Sequence, residues 1–144
     1  MRLHDQELIA KVVLQSRDYD TAGDAAALLN DPTLLAKVAV EGVDSLARAS
    51  AARRIGDQAL LARIVLDDKD ADVRRSAIEA LSDEDVLVHA AIREKSDSRV
   101  GEAAVEKLKD HESYKKVAPR AALIEVRAAA LRSVTDEACS PSSR

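Results

Sequence analysis

Residues 57–66 read DQALLARIVL, and this stretch decides the fold because its pattern returns along the chain. An aspartate begins the frame and a run of aliphatic residues follows it. The frame recurs as DQELIAKVVL from Asp5, DPTLLAKVAV from Asp31, DEDVLVHAAI from Asp83 and, more weakly, DHESYKKVAP from Asp110. The steps between the five aspartates are 26, 26, 26 and 27 residues. A fixed period of this length is typical of a repeat protein.

A second frame lies downstream in each unit, and its fifth residue is always alanine. It reads VRRSAIEAL from Val73, and it returns as VGEAAVEKL, VRAAALRSV and, more loosely, ARASAARRI. Apolar residues in both frames recur at helical spacing, so each unit is predicted to form two amphipathic helices. The small alanine predicts a close approach between neighbouring helices. The five alanines are Ala25, Ala51, Ala77, Ala104 and Ala130.

The recurrent aspartate fits a helix N-cap, and Pro32 occupies the favoured first helical position after Asp31. A hairpin of about 26 residues cannot bury its apolar stripe alone, so the units are expected to stack. We therefore predict an all-α fold, an α-solenoid of about five helical hairpins with a 26-residue period. The hairpins begin near residues 5, 31, 57, 83 and 110 and form one domain over 1–134. The remaining segment, 135–144, is predicted to be a disordered tail.

The second frame carries a resemblance to a known family. Its pattern Asp-x-x-Val-Arg-x-x-Ala, seen at Asp70, Val73, Arg74 and Ala77, resembles the HEAT-repeat family, in particular the short bacterial HEAT-like units. The resemblance covers roughly residues 5 to 134 and implies a scaffold, adaptor or binding module. It also implies a structural ladder, in which arginines of the second helices pair with aspartates of the connectors. The predicted ladder residues are Arg48, Arg74, Arg127, Asp70 and Asp72.

Three departures from the pattern are visible. Gly101 stands where three other units carry the ladder arginine. In the fifth unit Pro119 ends the first helix early, and RAALIE replaces the polar connector, which predicts one long helix from about 119 to 134. The first unit is degenerate, with Thr21 in place of valine and Gly23 inside its second helix. Degenerate end units are common in stacked repeats because one side faces water.

The composition narrows the function classes. Of 144 residues, 47% are hydrophobic but only 1% are aromatic, so neither an aromatic stacking platform for single-stranded nucleic acid nor an aromatic cage can be built. The net charge of −4 argues against nucleic acid as the main partner. The N-terminal residues lack the apolar core of a signal peptide, and a single cysteine forms no disulfide within the chain. We therefore expect a cytoplasmic protein with no membrane association.

The resemblance also indicates a binding surface. Second helices of HEAT-like proteins usually line the concave face, and their outward residues here run basic, mixed, acidic and basic. Such a pattern suits a protein or peptide of complementary charge, although a solvated surface with ordinary ion pairs explains it equally well. The residues of this predicted surface are Arg53, Arg54, Arg75, Glu79, Glu102, Glu106 and Arg132.

A basic row is the second candidate surface. The seventh position of the first frame is basic in every unit, and stacking would align these side chains for an acidic partner or for nucleic acid. The alternative is a solvated outer face, where cations sit well toward a helix C-terminus. The residues of the basic row are Lys11, Lys37, Arg63, His89 and Lys116.

The sequence offers little for catalysis or metal binding. Residues Asp68 to Glu79 match several positions of an EF-hand calcium loop, but Val73 stands where that loop requires glycine. The three histidines occupy unrelated repeat positions, and the four glycines are isolated. We therefore expect no cofactor, no metal and no enzymatic activity. The predicted function is a non-enzymatic scaffold or adaptor that binds another protein and is able to self-associate. The alternatives are an electrostatic nucleic-acid binder and a lyase-like accessory protein.

Overall fold

The computed structural model describes residues 3–139, with side chains for 5–136, and this part of the chain contains ten helices and no strand. The predicted all-α class is confirmed. The helices are α1 (Leu3–Gln15), α2 (Tyr19–Ala27), α3 (Pro32–Glu41), α4 (Ser45–Ala52), α5 (Gln58–Asp67), α6 (Ala71–Ala80), α7 (Glu84–Arg93), α8 (Ser98–Lys107), α9 (His111–Val117) and α10 (Ile124–Cys139).

Aspartates begin most of these helices, because a carboxylate accepts hydrogen bonds from the free N–H groups of the first turn. The carboxylate of Asp31 accepts from the main-chain N–H groups of Thr33 and Leu34 at 2.9 and 3.0 Å. The N-cap prediction is confirmed in the same way for α5, α7 and α9, at Asp57, Asp83 and Asp110. It is wrong for Asp5, which lies inside α1.

The described helices fall into two compact units, whereas the sequence predicts one domain over 1–134. The first unit contains α1 to α6 and ends at Leu81. Its hairpins are α1–α2, α3–α4 and α5–α6. Within it, α1 packs on α3, while α2, α4 and α6 pack in succession; α3 and α5 touch only sparsely.

The second unit begins at Ser82 and contains α7 to α10. Its hairpins are α7–α8 and α9–α10, with α7 packed on α9 and α8 on α10. The core of each unit is aliphatic. The fifth-position alanines of the second frame are fully buried at Ala51, Ala77, Ala104 and Ala130, as expected for helices in close contact. The corresponding residue on α2, Ala25, is only partly buried.

The side chain at the start of a first helix binds the loop that leads to the next hairpin. The amide oxygen of Gln6 accepts from the main-chain N–H groups of Asn30 at 2.6 Å and Asp31 at 3.2 Å. Gln58, which occupies the same frame position as Gln6, donates to the Ala80 carbonyl at 3.2 Å. These contacts hold the loop at the end of a hairpin against the start of that hairpin's first helix.

Glu84 makes the corresponding contact in the second unit, with a carboxylate instead of an amide. Its Oε1 accepts from the main-chain N–H groups of Lys109 and Asp110, both at 3.0 Å. Burial by itself would raise the pKa of Glu84. Hydrogen bonds from Asp110, from Lys109 and from the Ser113 hydroxyl outweigh burial and hold this pKa below its ordinary value of 4.5.

The fifth hairpin differs from its prediction. Instead of one helix from about 119 to 134, α9 ends at Val117 and α10 begins at Ile124. The residues between them form turns in which the N–H of Ala121 bonds the Val117 carbonyl at 2.9 Å, and Ala121 is fully buried. Helix α10 continues through residues 135–139, where a disordered tail is predicted, and residues 140–144 lie outside the described part of the chain.

Candidate functional site

The arginines of the predicted ladder make one contact in common. Each donates from its guanidinium to the main-chain carbonyl six residues earlier, at the connector that precedes its helix. This contact fastens the connector to the first turn of the second helix. The pairs are Arg48 with Gly42 (2.9 Å), Arg74 with Asp68 (2.8 Å) and Arg127 with Ala121 (2.7 Å).

Arg48 also forms a buried ion pair that joins two hairpins. Its Nε and Nη2 donate to the two carboxylate oxygens of Asp68 at 3.1 and 3.2 Å, and the side chains are 5% and 10% exposed. The connector aspartate that Arg48 binds is therefore Asp68, which is not among the predicted ladder residues. Asp70 is the N-cap of α6 and accepts from the N–H of Asp72, whose own side chain is exposed.

The missing arginine at Gly101 has a steric cause. A Cβ on Gly101 would lie 2.5 Å from Cγ2 and 3.2 Å from Cγ1 of Val126. Contacts under 3.0 Å require a shift of one partner. Helix α10 therefore approaches α8 too closely at this point for any side chain, and the ladder contact has no place there.

Four residues of the predicted binding surface lie in the first unit. Nε of Arg53 donates to Glu79 at 3.0 Å, and both side chains are about half exposed. Arg54 is engaged elsewhere, since its guanidinium donates to the Ala27 carbonyl and to Asn30, both at 2.9 Å, at the end of α2. Arg75 is partly buried on α6.

The other three residues of that surface lie in the second unit. Glu102 is partly buried and Glu106 is exposed, both on α8, and Arg132 is exposed on α10. The predicted surface is thus divided between the two units. Because Arg54 binds residues at the end of α2, its hydrogen bonds indicate a structural role and not a role in binding a partner.

The basic row is exposed in both units. Lys11, Lys37 and Arg63 lie at the surface of the first unit, and His89 and Lys116 lie at the surface of the second. In the first unit, exposed carboxylates follow one helical turn after Lys37 and Arg63. They belong to Glu41 and Asp67. On α3 and α5, negatively charged side chains therefore lie beside the basic row.

A groove opens between α3 and α5, where these helices touch only sparsely. Its volume is about 530 Å³, and its lining combines charged residues with aliphatic ones, among them Val40, Leu60 and Ile64. Val40 and Val43 are 49% and 58% exposed. The exposed aliphatic side chains and the open space beside them form a concave surface of the kind that binds a ligand or partner.

Charged side chains surround this groove. Arg63 and Lys69 bring positive charge to its lining, Glu41 and Asp67 bring negative charge, and the buried Arg48–Asp68 pair also borders it. This groove is not predicted from the sequence. The signal available in the sequence was Val43, an apolar residue in the connector between α3 and α4. The connector between α5 and α6, by contrast, is polar and reads DDKDAD.

The calcium-loop residues have other contacts in the structure. Asp68 binds Arg48, Asp70 caps α6, and Glu79 binds Arg53. Among the residues with described side chains, no group of three or more His, Cys, Asp and Glu side chains is placed to hold a metal ion.

Over the described residues, no helix combines the length and apolar character needed to cross a bilayer. The arrangement offers a groove lined by aliphatic and charged side chains, together with a set of arginines that hold connectors and hairpins in place. Comparison of the chain with protein-family models, curated proteins and solved structures found no match.

Proposed function

We propose that this chain is a non-enzymatic interaction module, built of HEAT-like hairpins with a 26-residue period, that binds a polypeptide in the groove between α3 and α5. The observation that carries the proposal is the pair of exposed valines, Val40 and Val43, beside about 530 Å³ of open space. An aliphatic side chain of a partner that entered the groove would remove apolar surface from water, which is the main favourable term in association.

The charges around the groove favour a polypeptide over a nucleic acid. A polyanion needs several cations and few acids along its path, whereas this rim carries Glu41 and Asp67 beside Arg63 and Lys69. A peptide with charges of both signs can satisfy all four. We expect the partner to be a protein segment with an aliphatic residue flanked by acidic and basic side chains, met in the cytoplasm.

The test is quantitative affinity capture from the cells that produce the chain, with wild type and two variants. Val43→Asp places a charge in the groove, and Leu46→Asp is the matched control, because Leu46 is similarly exposed, at 53%, but lies on α4 and does not line the groove. We expect a protein that wild type and Leu46→Asp retain and Val43→Asp loses. Equal recovery by all three, or recovery that nuclease and added salt abolish, would contradict the proposal.

A further inference from the structure

Two frame positions that are buried elsewhere in the chain are exposed at one place each. The eighth residue of the first frame is at most 5% exposed on α3, α5, α7 and α9, but Val12 on α1 is 50% exposed. The residue after the fifth-position alanine is at most 1% exposed on α2, α4, α6 and α8, but Leu131 on α10 is 54% exposed. Both exceptions are large aliphatic side chains.

The helix contacts within each unit explain the direction in which these two positions face. On α9, Val117 is fully buried although α9 packs only on α7 and α10 among the helices of its unit. On α1, which packs on α2 and α3, Val12 is exposed. Within a unit, the eighth position therefore faces the first helix of the preceding hairpin.

The helix contacts also show which way the residue after the fifth-position alanine faces. Ala26 on α2 is fully buried, and α2 packs on α1 and α4. Leu131 on α10 is exposed, and α10 packs on α8 and α9. Within a unit, this position therefore faces the second helix of the following hairpin. Hairpins of one unit thus pack through two contacts: the position of Leu131 lies between second helices, and the position of Val12 lies between first helices.

Charge points to the same complementarity. Arg127 corresponds to Arg48, which holds the carboxylate of Asp68 from the following hairpin. Arg127 bonds the Ala121 carbonyl in the same way, but its side chain is exposed. At the other surface, Ser16 occupies the frame position of Asp68, and Asp18 and Asp20 present exposed carboxylates two and four residues further along, at the start of α2.

We propose that two copies of this chain associate head to tail, with the α9–α10 hairpin of one copy packed on the α1–α2 hairpin of the other. Leu131 and Arg127 of the first copy lie against α2 of the second copy and its acidic start, and Val12 of the second copy lies against α9 of the first. The contact is heterologous, so it leaves one free surface on each copy and allows chains of copies to grow with concentration. This surface is separate from the groove between α3 and α5.

The test uses two blocked variants of the full chain. Val12→Asp blocks one half of the contact and Leu131→Asp blocks the other, so each variant alone should sediment as a monomer where wild type associates. An equimolar mixture should form a heterodimer and nothing larger, because only one compatible pair of surfaces remains. Sedimentation velocity over a concentration series, with native mass spectrometry of the mixture, measures both results.

Controls keep folding and the groove apart from this contact. Both substituted positions are half exposed, so the far-UV circular dichroism of each variant should match wild type. Val43→Asp should self-associate as wild type does while it loses the groove partner. The proposal is overturned if wild type stays monomeric over the concentration series, if either blocked variant still self-associates, or if the mixture of folded variants fails to form a heterodimer.

Discussion

At the residue scale, the ladder arginines show how far a repeated residue can be interpreted from sequence. Their recurrence predicts a structural role, and each one does hold its preceding connector through a carbonyl six residues earlier. The carboxylate that Arg48 binds could not be predicted, because four aspartates lie in the connector and only the helix geometry selects Asp68. Its neighbour Asp70 is needed at the start of α6.

Replacing Arg48 is expected to be far more costly than replacing Arg53. Arg48→Met leaves the buried Asp68 carboxylate without its guanidinium partner and the Gly42 carbonyl without the Arg48 donor, and we expect a loss of about 3 kcal/mol in the free energy of unfolding. Arg53→Met removes a half-exposed pair with Glu79, which is worth at most about 1 kcal/mol. Urea unfolding of both variants checks this, and equal losses would contradict the assigned roles.

Two glycines inside helices should respond to alanine in opposite directions. Gly101→Ala forces Cβ against Val126, and overpacking costs about 1–3 kcal/mol. Gly23→Ala meets its nearest atom, Cβ of Leu46, at an ordinary 3.8 Å, so we expect a gain of about 0.5–1 kcal/mol from helix propensity. Thermal unfolding measures both.

A second substitution tests the steric cause directly. In a Gly101→Ala background, Val126→Ala should cost less than it does in wild type, because it removes the clash as well as the packing. If the two losses simply add, the contact between α8 and α10 is not what excludes a side chain at residue 101.

At the element scale, apolar periodicity predicts the helices well and the connectors poorly. Asp31, Asp57, Asp83 and Asp110 mark helix starts because a cap acts locally, through the N–H groups of the same turn. The helix predicted from 119 fails because the α9–α10 connector is held by tertiary contacts. Buried Ala121 and the Arg127 contact to its carbonyl are not visible in the local sequence.

The start of α7 provides a prediction about pH. The pKa of Glu84 is lowered in the folded chain, so the stability that its ionised form contributes is present above about 4.5 and is lost as pH falls through the folded pKa. Glu84→Gln keeps an acceptor oxygen for the same two N–H groups, as Gln6 shows in α1. We expect the variant to lose less stability than wild type below pH 4.5, as measured by urea unfolding across acidic pH. An equal loss in both would contradict a role for this carboxylate.

At the scale of the whole molecule, the repeat predicts the hairpins, but the groove depends on the distance between α3 and α5. The spacing of α3 from α5 depends on how many side chains pack between them, and no period in the sequence states it. Val43 and Val40 were available as a signal, yet an exposed valine is unremarkable until the structure shows open space beside it. The predicted surface on the second helices was drawn from frame position alone, which does not reveal that Arg54 binds α2.

The scarcity of aromatic residues makes one tyrosine a reporter of folding. Tyr114 is 7% exposed and donates to the Leu108 carbonyl, whereas Tyr19 is 65% exposed. We expect the near-UV circular dichroism band to persist in Tyr19→Phe and to disappear in Tyr114→Phe, because an ordered ring in an asymmetric environment gives the signal. Far-UV spectra should be unchanged, and a band that survives Tyr114→Phe would place the signal elsewhere.

The contacts of Gln6, Gln58 and Glu84 have a consequence for how such a chain can change in length. Each binds a loop 22 to 26 residues away, and each ladder arginine fixes a connector six residues before it. A residue inserted into either kind of loop would pull backbone groups away from a side chain that already binds them. Loops are usually where proteins tolerate added length, but here both kinds are held in register. New specificity in this chain is therefore more accessible through substitution at exposed positions such as Val43 than through insertion of a longer loop.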